Sequence, residues 1–243
     1  MITLFKKEVF SFLNSLIGYI VMVVFITIIG LFMWVFPGDF NIFEGGYANI
    51  DTLFIIAPWV FMFLAPAITM RSFADEYKVG TIELLLTKPL SDWQIILGKY
   101  LAGAALIFFS LLPTLIYYIS VKDLASPVGN VDEGAIWGSY LGLLFLSTAF
   151  VSIGVFASSL SSNQIVSFII GVFLSFFMYI GFESIAGLQL FGPLDLLIIN
   201  FGINEHYISM SRGVIDTRDV LYFLTLIYFF LLLTKFRLSS RRW

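Results

Sequence analysis

Two places in this sequence of 243 residues bring together side chains that could do chemistry. One is the adjacent pair Glu205 and His206, in which a carboxylate lies beside the only histidine of the chain. The other is residues 71–99, here called the charged segment, which has an apolar run on either side. A carboxylate–imidazole pair suggests proton transfer. A charged segment between apolar runs suggests a part of the chain that lies in water or at a membrane surface.

The pair Glu205 and His206 lacks the companions that catalysis or metal binding would need. The sequence has no second histidine, no H-E-x-x-H motif, no G-x-S-x-G motif and no cysteine. A disulfide, a thiolate metal site and a multi-histidine metal site are therefore excluded. Because geometry rather than proximity in sequence makes a site, we interpret His206 as a residue of a short interfacial helix. We expect no catalytic residue, metal site or cofactor in this chain.

The charged segment is predicted to contain a charged patch, a short helix and a turn. The patch consists of three charged residues, Asp75, Glu76 and Lys78. Gly80 or Thr81 can cap the short helix, with Glu83 in its first turn, where a carboxylate favours the free N–H groups and the helix dipole. The apolar side of this helix is formed by Leu84, Leu85 and Leu86. Pro89 then ends the helix.

A further helix is predicted to begin directly after Pro89. Ser91 is a suitable N-cap, and Gln94 three residues later completes the pattern of a capping box. The helix then runs from Trp93 into the apolar residues that follow Lys99. On local physics alone, a solvated loop between two membrane spans accounts for the charged segment equally well.

The residue pattern of the charged segment resembles the signature of the type-2 ABC exporter permease superfamily. The match covers Asp75, Glu76, Gly80, Thr81, Glu83, Leu84, Leu85, Pro89, Ser91, Gly98 and Lys99. In that superfamily this element is the coupling helix, which lies between the second and third spans and docks in a groove of a separate ATPase subunit. The resemblance implies that the first nine of these residues form the ATPase-coupling site.

The chain contains no phosphate-binding loop of its own. Gly98 and Lys99 lack the other parts of a G-x-x-x-x-G-K-[ST] motif, and the apolar runs leave no room for a nucleotide-binding domain. The resemblance therefore implies that ATP and Mg²⁺ are bound by a partner ABC ATPase subunit. It also implies a second permease chain, identical or different, that completes a homodimeric or heterodimeric pathway.

The composition is that of a membrane protein. Hydrophobic residues make up 60% of the chain and charged residues 12%, and the mean hydropathy is +0.99, whereas soluble domains carry about 25% charged residues. We therefore predict an all-α polytopic membrane protein whose surroundings are the lipid bilayer. The net charge of −3 gives no indication of a nucleic-acid partner.

Six transmembrane helices are predicted, all in one permease domain that covers residues 1–243. Because an apolar layer of about 30 Å is crossed by about 20 residues, the uncharged residues 134–182 must form two spans. We place a simple turn at the serine-rich residues 158–164. Pro58 and Pro66 predict a kink or an irregular half in the second span. The predicted spans are residues 16–36, 52–70, 100–121, 135–157, 164–182 and 220–234.

Several shorter helices are predicted outside the spans. Residues 1–15 form an amphipathic pattern that indicates an N-terminal interfacial helix. Residues 183–219 are predicted to hold two short re-entrant or interfacial helices between spans 5 and 6, one of them at residues 204–212 and ended by Gly213. Asp216 can cap the last span. The six spans contain no ionisable residue, which argues against an ion-coupled carrier.

The distribution of basic residues predicts the orientation in the membrane. The N-terminal helix, the charged segment and the C-terminal tail together hold ten of the 13 Lys and Arg residues. The opposite loops hold 11 of the 16 acidic residues. The positive-inside rule therefore predicts that both termini and the charged segment are cytoplasmic.

Residues 204–234 resemble one branch of the superfamily, the gliding-motility-associated ABC transporter permeases (GldF) of Bacteroidetes. The string S-R-G-V-I-D-x-R-D-V-x-Y-F and residues 2–15 carry this resemblance. It implies a multi-pass permease of the bacterial cytoplasmic (inner) membrane with an accessory membrane subunit, which exports or moves an unidentified substrate in a process linked to gliding motility. The alternative hypothesis is a non-transporting membrane anchor or scaffold for motility or secretion machinery.

Overall fold

The computed structural model describes residues 1–83, 90–190 and 192–240, and within these residues it contains helices and no strand. The helices are α1 Ile2–Leu13, α2 Leu16–Trp34, α3 Ile42–Gly45, α4 Asp51–Thr69, α5 Ala74–Val79, α6 Asp92–Leu111, α7 Leu115–Leu124, α8 Glu133–Leu160, α9 Gln164–Phe176, α10 Phe182–Gly187, α11 Asp195–Ile199, α12 Ile203–Met210 and α13 Thr217–Ser239. A 3₁₀ turn, Leu112–Thr114, joins α6 to α7. A π-helical turn, Phe177–Gly181, joins α9 to α10. The predicted all-helical fold is confirmed.

Five helical stretches are long and apolar enough to cross a membrane. They are Asp51–Val79, Asp92–Leu124, Glu133–Leu160, Gln164–Gly187 and Thr217–Ser239. α1 and α2 meet at an angle of 64° and supply a sixth crossing if the two are taken as one bent span. The described helices thus provide five or six candidate spans. The interfacial position of α1 remains a prediction.

Several spans extend beyond their predicted bounds. α6 begins at Asp92, next to the helix start predicted at Trp93, and includes Lys99, which the predicted span 100–121 leaves out. α8 continues to Leu160, so that Ser158 is a helical residue and not part of a turn. The helix that starts with α9 continues to Gly187 and includes Glu183, and α13 covers Thr217–Ser239 instead of residues 220–234. The predicted bounds lie where each apolar run meets its first polar residue. A helix can continue past that residue, because capping determines where a helix begins.

The predicted irregular half of the second span is absent, whereas the alternative, a kink at the prolines, stays a prediction. α4 is unbroken from Asp51 to Thr69, although Pro58 and Pro66 lie inside it. Most of its residues are buried, and it packs against α2, α8 and α9. Neighbouring helices allow a membrane helix to tolerate proline in this way.

α8 is the central helix of the bundle. It packs against α4, α6, α9, α12 and α13, and 72% of its most apolar stretch is buried, compared with 22% for Gln164–Gly187. Glycines on α8 allow close approach, since a Cβ added at Gly154 would overlap the side chain of Thr69 on α4. A Cβ added at Gly142 would lie 2.6 Å from the Cβ of Met210 on α12. Small residues at such contacts are typical of packed membrane helices.

The end of the bundle opposite the charged segment, here called the outer end, is closed by α12. Tyr207 is 3% exposed, and its hydroxyl donates to the carbonyl oxygen of Phe54 on α4 at 2.7 Å. Burial raises the pKa of Tyr207 well above its usual value, so that the hydroxyl keeps the proton that it donates. Ser139 of α8 donates to the carbonyl oxygen of Ser211 at 2.8 Å. α12 is therefore anchored to two membrane helices.

His206 joins α12 to α13. Its Nδ1 lies 2.8 Å from Asp219 Oδ1, and its Nε2 lies 3.0 Å from the carbonyl oxygen of Asn200. The imidazole stacks on the ring of Tyr222 with 3.8 Å between ring centres. The short helix predicted around residues 204–212 is present as α12, and Asp216 caps α13 as predicted by accepting a hydrogen bond from the backbone N–H of Arg218.

We predict that Gly154→Ala lowers the apparent melting temperature of the detergent-solubilised protein by several degrees. The added methyl group must displace Thr69, and overpacking of this kind costs about 1–3 kcal/mol. Gly45→Ala is the matched control, because a Cβ at Gly45 meets no atom within 4 Å. Equal melting temperatures for the two variants in a thermal shift assay would contradict the close packing of α4 on α8.

Candidate functional site

Lys99 lies near the start of α6, and its side chain is only 2% exposed. Its ammonium group donates three hydrogen bonds, to Glu8 Oε1 at 3.2 Å, to Glu76 Oε1 at 2.8 Å and to the carbonyl oxygen of Ser72 at 2.6 Å. Because an ammonium group has three N–H bonds, every donor of Lys99 is used. The nitrogen also lies 5.1 Å from the centre of the Phe73 ring, within range of a cation–π contact.

The partners of Lys99 belong to three different parts of the chain. Glu8 is on α1, Ser72 lies in the link between α4 and α5, and Glu76 is on α5. We call this set of contacts the Lys99 junction. One oxygen of Glu76, Oε2, is buried and has no hydrogen-bond partner among the described residues. The charge of Glu76 is therefore balanced mainly by Lys99, since a buried carboxylate needs a paired cation.

Ser158 of α8 caps the first turn of α5, although it is remote from α5 in the sequence. No side chain caps α5 from its own N-cap position, which is Phe73. Instead the Ser158 hydroxyl accepts hydrogen bonds from the backbone N–H of Phe73 at 2.9 Å and of Ala74 at 3.2 Å. It donates to the carbonyl oxygen of Met70 at 3.1 Å. The interpretation of Ser158 as a simple turn residue was therefore wrong, because this serine satisfies the free N–H groups at a helix start.

Asp75 links α5 to a third membrane helix. Its carboxylate accepts a hydrogen bond from the side-chain amide of Gln164, the first residue of α9. Two of the three acidic residues of the predicted coupling site, Asp75 and Glu76, thus contact other helices of the same chain.

After Glu76 the chain becomes exposed on the protein surface. Val79 is 73% exposed. Gly80 has a φ of +75° and ends α5 in the left-handed conformation that favours glycine at a helix C-terminus. Gly80 therefore closes α5 instead of capping the next helix. Thr81 is exposed, and so is Glu83, where the chain is helical again.

The remaining predicted coupling residues divide into two groups. The capping box at Ser91 is confirmed, because its hydroxyl accepts from the Gln94 N–H at 3.3 Å and the Gln94 side chain accepts from the Ser91 N–H at 3.0 Å. Leu84, Leu85 and Pro89 lie outside the described residues, and their coupling role stays a prediction.

The sequence patterns did not reveal the roles of Glu8, Lys99, Ser158 and Gln164. A signal existed for Lys99, because a single lysine at the edge of a long apolar run needs an acidic partner if it is buried. No sequence signal identifies Ser158 or Gln164, which lie more than 80 positions from the residues that they contact. Within the described part of the chain, no group of three or more His, Asp or Glu side chains could hold a metal ion.

Residues 2–194 match the family described as ABC-2 family transporter protein. The chain belongs to this family. It is also similar to proteins described as probable multidrug ABC transporter permease YbhR, from Escherichia coli strain K12 and from Escherichia coli O157:H7, with 30% identity over 130 residues in each case. The aligned region covers 52% of this chain and 33% of each relative, so the match spans a third of the relatives' length. The superfamily expectation is confirmed, and the narrower resemblance to gliding-motility permeases stays a prediction.

We predict that Lys99→Met lowers the free energy of unfolding by about 3–5 kcal/mol, because it leaves two largely buried carboxylates without their cation. Chemical unfolding in mixed micelles measures this change. Lys78→Met is the matched control, since Lys78 is exposed on α5. Adding Glu76→Gln to Lys99→Met should restore part of the loss. A Lys99 variant as stable as the Lys78 variant would show that the junction is not a stabilising contact.

We also predict that Ser158→Ala loosens α5 without unfolding the bundle. The substitution removes the side-chain cap that Ser158 gives to α5 and should cost about 0.5–2 kcal/mol. Hydrogen–deuterium exchange should become faster at the amides of Phe73 and Ala74 and stay unchanged in α12. Ser162→Ala serves as the control, because Ser162 is exposed. Identical exchange in both variants would rule out the capping role.

Proposed function

We propose that this chain is the transmembrane permease subunit of an ABC transporter and couples ATP hydrolysis by a separate ATPase subunit to the export or movement of a substrate. The observation that carries this proposal is the Lys99 junction. It joins α1, α5 and α6 through a buried cation at the segment whose residue pattern matches the coupling helix. Membership of the ABC-2 family supports the same function.

The contacts of α5 define a route for mechanical coupling. In this proposal the ATPase docks on the exposed surface that begins at Val79 and includes Glu83. A displacement of α5 then acts on α1 and α6 through Lys99, on α8 through Ser158 and on α9 through the pair Asp75 and Gln164. Because packed helices move as rigid bodies, a small shift of α5 is passed to at least three membrane helices.

We also propose how the chain is oriented in the membrane and which subunits it binds. The Lys99 junction and both chain termini are proposed to lie on the cytoplasmic side of a bacterial inner membrane, as the basic residues predict. The ATPase subunit holds ATP and Mg²⁺, and a second permease chain completes the pathway. An accessory subunit and a link to gliding motility rest only on the resemblance of residues 204–234. The names of the Escherichia coli relatives add drug-like molecules to the proposed substrates.

We predict that Val79→Asp reduces co-purification of the ATPase subunit at least about fivefold, because it places a charge on an exposed apolar residue of the docking surface. The tagged full chain is purified from native membranes in mild detergent, and partners are quantified by mass spectrometry. Val128→Asp is the matched control, since Val128 is 75% exposed and lies in the loop after α7.

The outcomes of this purification separate the two functional hypotheses. An ATPase that accompanies the wild-type chain and the Val128 variant but not the Val79 variant supports the permease. A clean preparation without any nucleotide-binding protein contradicts it. Full biological function with a hydrolysis-dead ATPase would instead favour the anchor or scaffold.

A further inference from the structure

A groove of about 580 Å³ opens at the outer end of the bundle between α4, the helix Gln164–Gly187 and α12. Its apolar wall includes Trp59 of α4, which is 45% exposed, and Tyr179 of the π-helical turn. Tyr207 of α12 adds a third aromatic ring. Its polar wall is formed chiefly by Glu183 and Asn204. The groove is thus lined by aromatic rings and by a carboxylate.

Tyr179 is the first observation that points to a ligand. The residue is 6% exposed, and its ring packs edge-on against Trp59, with 5.9 Å between ring centres, and against Phe150, with 6.1 Å. Its hydroxyl makes no hydrogen bond to a described residue. Glu183 and Tyr207 line the same groove. Tyr179 lines the groove, so that a bound ligand can supply the partner that its hydroxyl lacks.

Glu183 is the second observation. It lies in the helix Gln164–Gly187, one of the five candidate membrane spans. One carboxylate oxygen accepts a hydrogen bond from the Asn204 side-chain amide at 2.9 Å. No salt bridge among the described residues includes Glu183, and no Lys or Arg lines the groove. An ionisable residue in a membrane helix marks a functional site more often than a structural one.

The backbone at this place is also irregular. Phe177–Gly181 forms a π-helical turn inside the long helix, and such turns occur frequently at functional sites. The turn lies directly before Glu183 and contains Tyr179, so that both side chains meet the groove from one wall.

From these features we propose that the groove binds an amphiphilic organic cation. The cationic centre lies between the carboxylate of Glu183 and the exposed ring of Trp59, whose π face attracts positive charge. The apolar body of the ligand packs on the aromatic wall, and the Tyr179 hydroxyl interacts with any acceptor that the ligand carries. That such a cation is the transported substrate rests on the proposed function, whereas the binding site itself does not.

The test measures binding of tritiated tetraphenylphosphonium to the full chain in phosphatidylcholine nanodiscs, with empty nanodiscs subtracted. Tritiated tetraphenylborate, which has nearly the same shape and the opposite charge, is measured in parallel samples. We expect saturable binding of the cation and none of the anion. Equal binding of the two ions, or no saturable binding of the cation, overturns the proposal without the need for any variant.

Two variants, each with its own control variant, then test whether the cation binds in the groove. Glu183→Gln should weaken cation binding about tenfold through the loss of the facing charge, whereas Glu205→Gln, which removes an exposed carboxylate from α12, should not. Trp59→Leu should weaken binding about fivefold through the loss of the cation–π contact. Trp137→Leu is its control, since Trp137 is 49% exposed and lies outside the groove. Equal affinities within either pair would place the bound cation elsewhere.

The same preparations distinguish failure of this inference from failure of the proposed function. If the ATPase subunit accompanies the chain but the cation does not bind, only the proposed cation site in the groove is contradicted. If the cation binds in a Glu183-dependent manner but no ATPase accompanies the chain, the binding site is supported and the transport function is contradicted.

Discussion

A buried ammonium group holds together the end of the bundle that carries the charged segment. Lys99 has to be compensated, because an isolated charge in an apolar interior is far less stable than the same charge in water. The acceptors that compensate it come from α1, from the link after α4 and from α5. The amphipathic N-terminal helix, the start of the charged segment and the start of α6 are therefore held in one arrangement by one side chain.

Two helices run from this junction toward the groove at the outer end. α4 carries Trp59 in its middle and leads through Ser72 into α5. The helix Gln164–Gly187 contacts Asp75 at its first residue and presents Tyr179 and Glu183 near its last turns. If the chain is a permease, the helix Gln164–Gly187 both receives a displacement of α5 and forms one wall of the groove. Gln164–Gly187 is also the least buried of the five candidate spans.

Local sequence signals predicted a large share of the fold. The capping box at Ser91, the cap at Asp216 and the short helix around residues 204–212 were predicted from patterns within a few residues, and all three are present. The spans could be predicted because an apolar run of about 20 residues is the length that crosses a bilayer as a helix. Their bounds were less accurate. A hydropathy pattern ends at the first charge, whereas Lys99 and Glu183 continue inside helices.

The sequence by itself determined the class of the protein, the approximate position of its membrane helices and the segment that resembles a coupling helix, because these depend on composition and on residues close together in the chain. Only the tertiary structure decided which side chains complete that segment. Ser158 meets Phe73, Gln164 meets Asp75, and Lys99 meets Glu8 across 80 to 90 intervening positions. Such contacts depend on how the helices pack around α8, and no local pattern of residues encodes that packing.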